Sequence, residues 1–384
     1  ITGEGFGDSQ GNGYVTFDNG NGYYAQSIAQ SFDYSIWGDE KITVKVPAAF
    51  SNKVKIKTNS GFEIETNDTL HIGYNLDANV SSLYGHTYLH NQEDGGHKFY
   101  LNTELYNIIE RRAAVERTLN DFVCKTGINF LLAEQGTTLG WNLGDGQNTI
   151  SFDSASNMLL ANTVGFCNTL WSSCTYNGET FYYVNEMDIV INSSFEYDYS
   201  TGNPSAGLAK FSYVLMHELG HAMRLGHVNE LGETMYPSVT DMPSNSWYER
   251  DTISIHDRLG VSHAFDLAAN FSFSACGLSN MTPKIVNSGC VNELACNYDL
   301  SATCDDGSCV FSELNYDCSG NCINDFDLDG ECDEVDYDDG LGVDEVMSSS
   351  IKLIRMIDVL GRENKNHQPG ILLFYIYDDG RVQK

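Results

Sequence analysis

Three histidines and one glutamate between positions 217 and 227 have the types and the spacing of a catalytic metal site. In an H-E-x-x-H pattern, His217 and His221 are four residues apart, so on a helix their Cβ atoms lie roughly 5–6 Å apart and both rings reach one ion. Glu218 lies beside that ion without binding it. His227 follows after a chain reversal that Gly226 can help to make, and would complete a tetrahedral site with one open position.

The chemistry expected of such a centre is hydrolysis. Zinc lowers the pKa of a bound water from about 15.7 to about 7 and polarises a scissile carbonyl. Glu218 would act as the general base that accepts the water proton and passes it to the leaving amine. Three neutral imidazoles leave the ion its full charge, which favours both effects. The residues therefore predict hydrolysis of peptide bonds by a zinc-bound water.

The segment from His217 to His227 resembles the elongated zinc motif of the metzincins, H-E-x-x-H-x-x-G-x-x-H. Met235, eight residues after His227, resembles their Met-turn at a spacing similar to that of the matrixins. The resemblance implies a zinc metalloendopeptidase in which Met235 underlies the metal. It also implies that Tyr236 and Pro237 form a wall of the pocket for the residue after the cleaved bond. A thermolysin-like site would need a downstream Glu ligand, which His227 makes unnecessary.

One position departs from this motif. The family usually has glycine at the eighth motif position, where the helix ends with a backbone angle that only glycine adopts easily, but this chain has Arg224. Either the helix ends later, at Gly226, or Arg224 is held in a strained conformation.

Helices and a sheet must position these residues. An apolar stripe predicts one amphipathic helix between Leu101 and Phe130 that ends near Gly127. The stripe consists of Leu105, Ile108, Ile109, Ala113, Val115, Leu119 and Val123. The histidine helix is expected to begin near Ser205, and a third helix to span roughly 251–259.

Strands are predicted at 128–130, 149–152 and 187–191. By the metzincin resemblance, the strand around Asp188 would be the sheet edge along which an extended protein or peptide substrate pairs. The predicted fold class of this part is α+β, with a mixed, mostly parallel sheet and three helices.

Length and charge limit the classes of protein. A chain of 384 residues suits two or three domains of about 100–200 residues with small modules. The formal net charge of -32 disfavours nucleic-acid binding, which needs clustered Lys and Arg. No apolar run reaches about 18 residues, so no transmembrane segment is expected. The chain begins at Ile1 with no charged-then-apolar leader, so no signal peptide is visible.

The first 74 residues alternate short β-rich runs with Gly, Asn and Asp turns, which is typical of a small antiparallel β-sandwich. The opening from Ile1 to Gly7, with Trp37-Gly38-Asp39 and the strand from Val44 to Pro47, resembles the IPT/TIG immunoglobulin-like family. A dinucleotide-binding loop is the alternative for the Gly-rich start. It is set aside because G-x-G-x-x-G is not met and no strand precedes it.

Eleven cysteines, seven of them between Cys290 and Cys332, indicate disulfides and an oxidising compartment. The odd count leaves at least one thiol free or paired elsewhere. A structural zinc cluster is the alternative, but it needs paired C-x-x-C knuckles that this region lacks. Cys167 and Cys174 are predicted to bridge within one loop; otherwise they are two unrelated buried thiols.

An acidic stretch after residue 324 has the spacing of a calcium-binding loop, D-x-D-x-D-G-x-x-D-x-x-D. Its carboxylates are Asp325, Asp327, Asp329, Asp333 and Asp336. Gly330 permits the sharp turn, and the carbonyl of Glu331 can supply a further ligand. The segment resembles thrombospondin type 3-like repeats. The alternative is a solvated acidic run.

Two further resemblances concern export. The segment from Gly289 to Cys309 resembles a cysteine-rich repeat of secreted proteins of marine Bacteroidota. The end, from Lys352 to Arg362 and from Tyr375 to Gly380, is similar to a C-terminal sorting domain of the type IX secretion pathway. The second resemblance implies outer-membrane secretion machinery as a partner, and a secreted or cell-surface location.

Five parts are therefore predicted. They are an IPT/TIG-like domain at 1–74, a metzincin protease at 75–265, a linker at 266–289, calcium-binding repeats at 290–346 and a sorting domain at 347–384. The alternative function is an adhesive surface protein whose protease domain has lost activity, and the presence of Glu218 argues against it. His86, His90, His97 and Asp94 can be considered as a second metal site, but the Gly- and Asn-rich context favours solvated loop residues.

Overall fold

A computed structural model describes residues 1–18, 27–29, 33–76, 87–154, 159, 162–205, 207–238, 252–271, 273–326, 330–335, 352–364, 372–378 and 380–383. These residues form two compact units. The first unit comprises residues 1–293 with 298–309, and the second comprises 294–297 with 310–384. No helix in the described part of the chain is long and apolar enough to cross a membrane.

The N-terminal part of the first unit is built from short antiparallel strands. The strands are β1 (Tyr14–Asp18), β2 (Ser27–Ile28), β3 (Tyr34–Trp37), β4 (Ile42–Val44), β5 (Phe50–Lys57) and β6 (Glu63–Leu70). A four-stranded sheet has the order β2-β1-β5-β6, and β3 pairs with β4. Along β5, Val54 and Ile56 are buried while the intervening lysines are not, which is the alternation of a half-buried strand. The IPT/TIG resemblance of this part stays a prediction.

The part of the first unit from residue 75 to 269 contains one larger sheet flanked by helices, and two separate strand pairs. The strands of this part are β7 (Asn75–Leu76), β8 (Thr87–Tyr88), β9 (His97–Leu101), β10 (Phe130–Leu132), β11 (Asn148–Phe152), β12 (Gly165–Tyr176), β13 (Glu179–Ile191), β14 (Tyr197–Asp198), β15 (Ala209–Lys210) and β16 (Leu225–Gly226). The two separate pairs are β14-β15 and β16-β7. The helices of this part are α1 (Thr103–Tyr106), α2 (Ile109–Thr126), α3 (Phe211–Ala222) and α4 (Ile255–Ala269).

The larger sheet is mixed and mostly parallel. Its order is β10-β9-β11-β13-β12, with β8 also pairing with β13, and only β12 runs antiparallel to its neighbour. Helices α2 and α3 lie together on this sheet and bury an apolar core. The predicted α+β class and the mostly parallel sheet are confirmed.

The helix boundaries differ from the predicted ones. The single helix expected before Gly127 is two, because Asn102 caps α1 and the extended Ile108 separates it from α2. Ile108 and Ile109 are exposed, so their place in the buried stripe was wrong. The predicted end is correct: Gly127 has φ 70° and its N–H donates to the carbonyl of Val123.

Three more elements are shifted. Helix α3 begins at Phe211 and not near Ser205, because the residues just before it pair with β14 as β15. Helix α4 extends to Ala269, past the predicted domain boundary at 265. Strand β10 starts at Phe130, two residues later than predicted.

The structure pairs ten of the eleven cysteines. The disulfides are Cys124–Cys304, Cys174–Cys276, Cys290–Cys309, Cys296–Cys318 and Cys322–Cys332, and Cys167 is free. The predicted bridge between Cys167 and Cys174 was wrong. Both lie in the continuous strand β12, where seven residues of extended chain separate them by roughly 23 Å. A disulfide needs Cα atoms less than about 7 Å apart.

The remaining strands lie after the sheet. They are β17 (Ser288–Gly289), β18 (Cys304–Asp305), β19 (Leu353–Asp358), β20 (Glu363–Asn364), β21 (Leu373–Tyr377) and β22 (Val382–Gln383). In the second unit a four-stranded antiparallel sheet has the order β20-β19-β21-β22. The sorting role of these residues stays a prediction.

Candidate functional site

Helix α3 places the first two histidines on one face. It spans Phe211–Ala222, and its apolar face, including Leu215 and Leu219, is fully buried against the sheet and α2. His217 and His221 lie one turn apart on the opposite side, facing a cleft of about 690 Å³. The spacing of four residues therefore places both imidazole rings on one face of the helix, as predicted.

The structure brings all three predicted histidines together. The Nε2 atoms of His217 and His221 lie 3.2 and 3.1 Å from the Nε2 of His227. Tetrahedral zinc with bonds of about 2.0–2.1 Å separates its ligand nitrogens by roughly 3.3 Å. The observed spacing is close to that value. No other group of three His, Cys, Asp or Glu side chains converges in this way within the described residues.

Backbone carbonyls fix the rings of two of these histidines. The Nδ1 of His217 lies 2.7 Å from the carbonyl oxygen of Thr234, and the Nδ1 of His221 lies 2.8 Å from that of Leu225. A carbonyl only accepts, so each Nδ1 carries the proton and each Nε2 presents a lone pair to the centre. Facing lone pairs repel one another unless a cation lies between them. The donor set fits zinc.

The backbone between His221 and His227 decides between the two alternatives for Arg224, a later end of the helix or a strained residue. Helix α3 ends at Ala222, and Arg224 adopts φ 66° in the left-handed region. Arg224 is therefore the strained residue, and the helix does not continue to Gly226. Its buried guanidinium lines the cleft, and its Nη1 donates to the hydroxyl of Thr169 on β12 at 3.3 Å.

Met235 lies fully buried beneath the histidine helix. A Cβ atom at Gly220 would overlap the Sδ of Met235, so only glycine admits this close approach. The N–H of Val228 donates to the carbonyl of Met235 at 3.1 Å, which ties the Met-turn to the loop of the third histidine. Tyr236 and Pro237 follow directly and line the cleft, where the metzincin resemblance placed them.

Sequence reasoning missed Asp257, which supports the Met-turn from α4. Its Oδ2 accepts hydrogen bonds from the N–H of Met235 at 3.0 Å and the hydroxyl of Ser254 at 2.7 Å. Burial raises the pKa of Asp257 to about 6. Ser254-x-x-Asp257 is a capping signal that could have found the start of α4. No sequence pattern near Asp257 would have linked this residue to the Met-turn.

Glu218 is almost completely buried beside the histidines, with 4% of its surface exposed. Burial raises its pKa to about 8, while the backbone amide of Cys167 donates to its carboxylate and opposes that effect. A cation bound at the three imidazoles would favour the carboxylate form. Gly165 of β12 also touches this group, because a Cβ there would lie 2.7 Å from Oε1.

The strand at the rim of the cleft is β12, not the strand around Asp188. Strand β13, which contains Asp188, has β11 on one side and β12 on the other, so its backbone groups are already paired. Asp188 is fully buried and accepts hydrogen bonds from the amides of Asn142 and Thr149. Burial raises its pKa to about 6. The expectation that this strand forms the sheet edge was wrong.

The residues considered for a second metal site are not solvated as expected. His90 and His97 are buried, and His97 shares its strand face with Phe99 and Leu101. That two-residue alternation was visible in the sequence. Asp94 is exposed and pairs with Lys98, and His86 lies outside the described residues.

Only part of the predicted calcium-binding loop lies among the described residues. Gly330 has the expected left-handed angle, φ 96°, and its amide donates to Asp325 at 3.2 Å. Asp333 accepts a hydrogen bond from the amide of Phe326. Glu331 directly follows Gly330 in the chain. Asp327, Asp329 and Asp336 lie outside the described residues. Calcium binding stays a prediction.

Comparison with known families decides the class of enzyme. Residues 89–265 match the family model of the matrixins, Peptidase_M10. The matched domain is a zinc metalloendopeptidase of the metzincin type. Proteins of this family bind zinc, in agreement with the converging imidazoles. No curated protein matches the chain.

Proposed function

We propose that the protein is a secreted endopeptidase that holds zinc at His217, His221 and His227 and uses Glu218 as its general base. The convergence of three Nε2 atoms, two of them in rings oriented by backbone carbonyls, carries this proposal. Zinc bound there supplies Lewis-acid polarisation of the scissile carbonyl and makes water acidic enough to react near neutral pH.

Glu218 has the position that a general base needs. It follows His217 on the same helix and lines the cleft together with the three histidines. Its burial favours holding a proton, and the amide of Cys167 fixes the direction of the carboxylate. The group can accept a proton from water and return it to the leaving amine. The adhesive alternative would require an inactive centre, and the presence of Glu218 in the cleft beside the three histidines argues against it.

The substrate is proposed to bind as an extended peptide along β12. This strand ends the larger sheet on the cleft side, and Gly165, Phe166 and Cys167 line the cleft. An extended peptide can add to such an edge through main-chain hydrogen bonds. Tyr236 and Pro237 also line the cleft.

The flanking parts are proposed to serve export and attachment. Five disulfides support an oxidising, extracellular location. The acidic segment around Asp325 would bind calcium as a stiffening element without entering the chemistry. The IPT/TIG-like domain and the C-terminal sorting role, with type IX secretion machinery as a partner, belong to the same proposal.

Zinc content and cleavage of an unstructured protein, measured on Glu218→Gln, test the mechanism. The amide keeps the shape of the side chain but cannot accept the proton, so the variant should retain zinc and lose cleavage by at least about 100-fold. Glu134→Gln, at an exposed glutamate outside the cleft, is the matched control and should cleave normally. An unchanged rate in Glu218→Gln would overturn the assignment of the base.

A further inference from the structure

The third histidine differs from the other two in how its backbone is held. His217 and His221 belong to α3, whose own hydrogen bonds fix them. His227 follows the two-residue strand β16, which pairs antiparallel with β7. Strand β7 lies at 75–76, before the segment that matches the matrixin family. The family match therefore omits the immediate support of this histidine.

Asn75 contacts the backbone of His227 directly. Its side-chain Nδ2 donates to the carbonyl of His227 at 2.7 Å, and its Oδ1 accepts from the amide of Ala49 at 3.0 Å. Asn75 is 7% exposed and Ala49 is 2% exposed, so water does not readily replace either bond. One amide group thus connects the N-terminal β-strands to the backbone of the third histidine.

The neighbouring residues repeat this attachment on both sides. The side chain of Asn229 accepts from the amide of Ser51 at 2.8 Å and donates to its carbonyl at 3.0 Å. His71 lies 2.9 Å from the carboxylate of Glu230. The residues on either side of His227 are therefore held by residues 49–76.

The same contacts extend to the second histidine. Leu225 pairs with Leu76, and the carbonyl of Leu225 is the group that orients His221. Gly260 of α4 admits Tyr74 at this point, because a Cβ there would lie 2.9 Å from both Tyr74 and Leu225. Residues 74–76 therefore contact both the histidine loop and α4.

We propose that residues 49–76 are a structural part of the metal centre, with Asn75 as the positioning residue for His227. Groups that orient a metal ligand typically change metal affinity or activity by about 10–100-fold when they are removed. The inference rests on the proposed zinc-binding role of His227. It assigns to residues 49–76, which precede the segment that matches the matrixin family, a function in zinc affinity that the family motif does not contain.

Zinc dissociation constants of the full chain, measured by competition with a chelator, test the proposal. Asn75→Asp keeps the acceptor for Ala49 but loses the donor to His227, and should weaken zinc binding about tenfold or more. The added negative charge by itself would attract the cation, so weaker binding would report the lost donor. Asn75→Leu, which is similar in shape and lacks both groups, should weaken binding at least as much.

Asn148→Asp is the matched control. Asn148 is buried like Asn75, its Oδ1 accepts from the amide of Met187, its Nδ2 donates to the carbonyl of Lys98, and it does not line the cleft of the histidines. The variant therefore makes the same chemical change away from His227. It should leave zinc affinity unchanged. Thermal unfolding of the zinc-free chain checks that each variant folds.

Zinc binding by Asn75→Asp as tight as in the unchanged chain would overturn the inference. An equal weakening in Asn148→Asp would also overturn it, because a general effect of losing a buried amide donor would then explain the result. His227→Ala separates this failure from that of the proposed function. If His227→Ala binds zinc normally, the ligand set is wrong, whatever the Asn75 variants do.

Discussion

The metal centre has two halves that are built in different ways. His217 and His221 lie on one helix, so four residues of local chain fix their separation. His227 lies in a loop that distant residues hold: Asn75, 152 positions earlier, bonds to its backbone, and Ser51 bonds to the side chain of Asn229, 178 positions away. The helical half is determined locally, whereas the loop half depends on residues 49–76.

The two halves also differ in the chemistry of their supports. The helical half rests on the Met-turn, which is held by the buried carboxyl group of Asp257. The buried support of the loop half is the neutral amide group of Asn75, while the contacts of Asn229 with Ser51 and of His71 with Glu230 are exposed. A carboxyl group titrates and an amide does not, so acidity should affect the two halves differently.

The largest effect is expected from removing the carboxyl group under the helical half. Asp257→Ala leaves the amide of Met235 and the hydroxyl of Ser254 without their buried acceptor. Each unsatisfied group costs about 1–3 kcal/mol, so the free energy of unfolding should fall by roughly 2–6 kcal/mol. Denaturant unfolding measures this loss. Asp266→Ala, at an exposed position of the same helix, is the control; equal losses would show that the Met-turn needs no such support.

A smaller effect should depend on pH and separate the two halves. Because the pKa of Asp257 in the folded protein is raised to about 6, folding favours its protonated form. That stability is fully present below about pH 4 and is lost as the pH rises through about 6. The difference in unfolding free energy between the unchanged chain and Asp257→Asn should therefore fall by on the order of 3 kcal/mol across this window.

Asn75→Leu is the counterpart in the loop half. The difference in unfolding free energy between the unchanged chain and Asn75→Leu should stay constant over the same pH range, since no titrating group is removed. Measurements on zinc-free protein remove any contribution from metal release. The division into a titrating and a neutral support would be contradicted if the difference in unfolding free energy changed with pH for Asn75→Leu, or did not change with pH for Asp257→Asn.

The same division explains how much the sequence could predict. The pattern from His217 to His221, the Met-turn at Met235 and the end of α2 at Gly127 are local signals, and the structure has the expected geometry at each. The support of His227 by Asn75 joins positions 152 residues apart, and no local pattern carries that information. The α+β class followed from periodicity, whereas the pairing of distant segments did not.

Strand β12 is the clearest failure of local reasoning. Its two cysteines, Cys167 and Cys174, suggested a disulfide-bridged loop, and this hid the edge strand of the cleft. Cys174 instead bonds to Cys276, which lies 102 residues away. The metzincin resemblance assigned the edge to the strand around Asp188. The residues from Met187 to Ile191 are all buried, which is typical of an interior strand covered on both faces, so this run of residues argued against an edge.

The smallest effect is expected at Arg224, where sequence and structure disagree with the family motif. Arg224→Gly relieves left-handed backbone strain of about 1–2 kcal/mol. It also increases the entropy of the unfolded chain, at about 0.5–1 kcal/mol, and removes the hydrogen bond to Thr169, worth about 0.5–1.5 kcal/mol. These terms nearly cancel, so the free energy of unfolding should change by less than about 1 kcal/mol. Thr169→Val removes this hydrogen bond without relieving the backbone strain, and should be the less stable variant in thermal unfolding. If Arg224→Gly were instead destabilised far beyond Thr169→Val, the buried guanidinium would be a principal support of the loop half, and Asn75 would not be its main anchor.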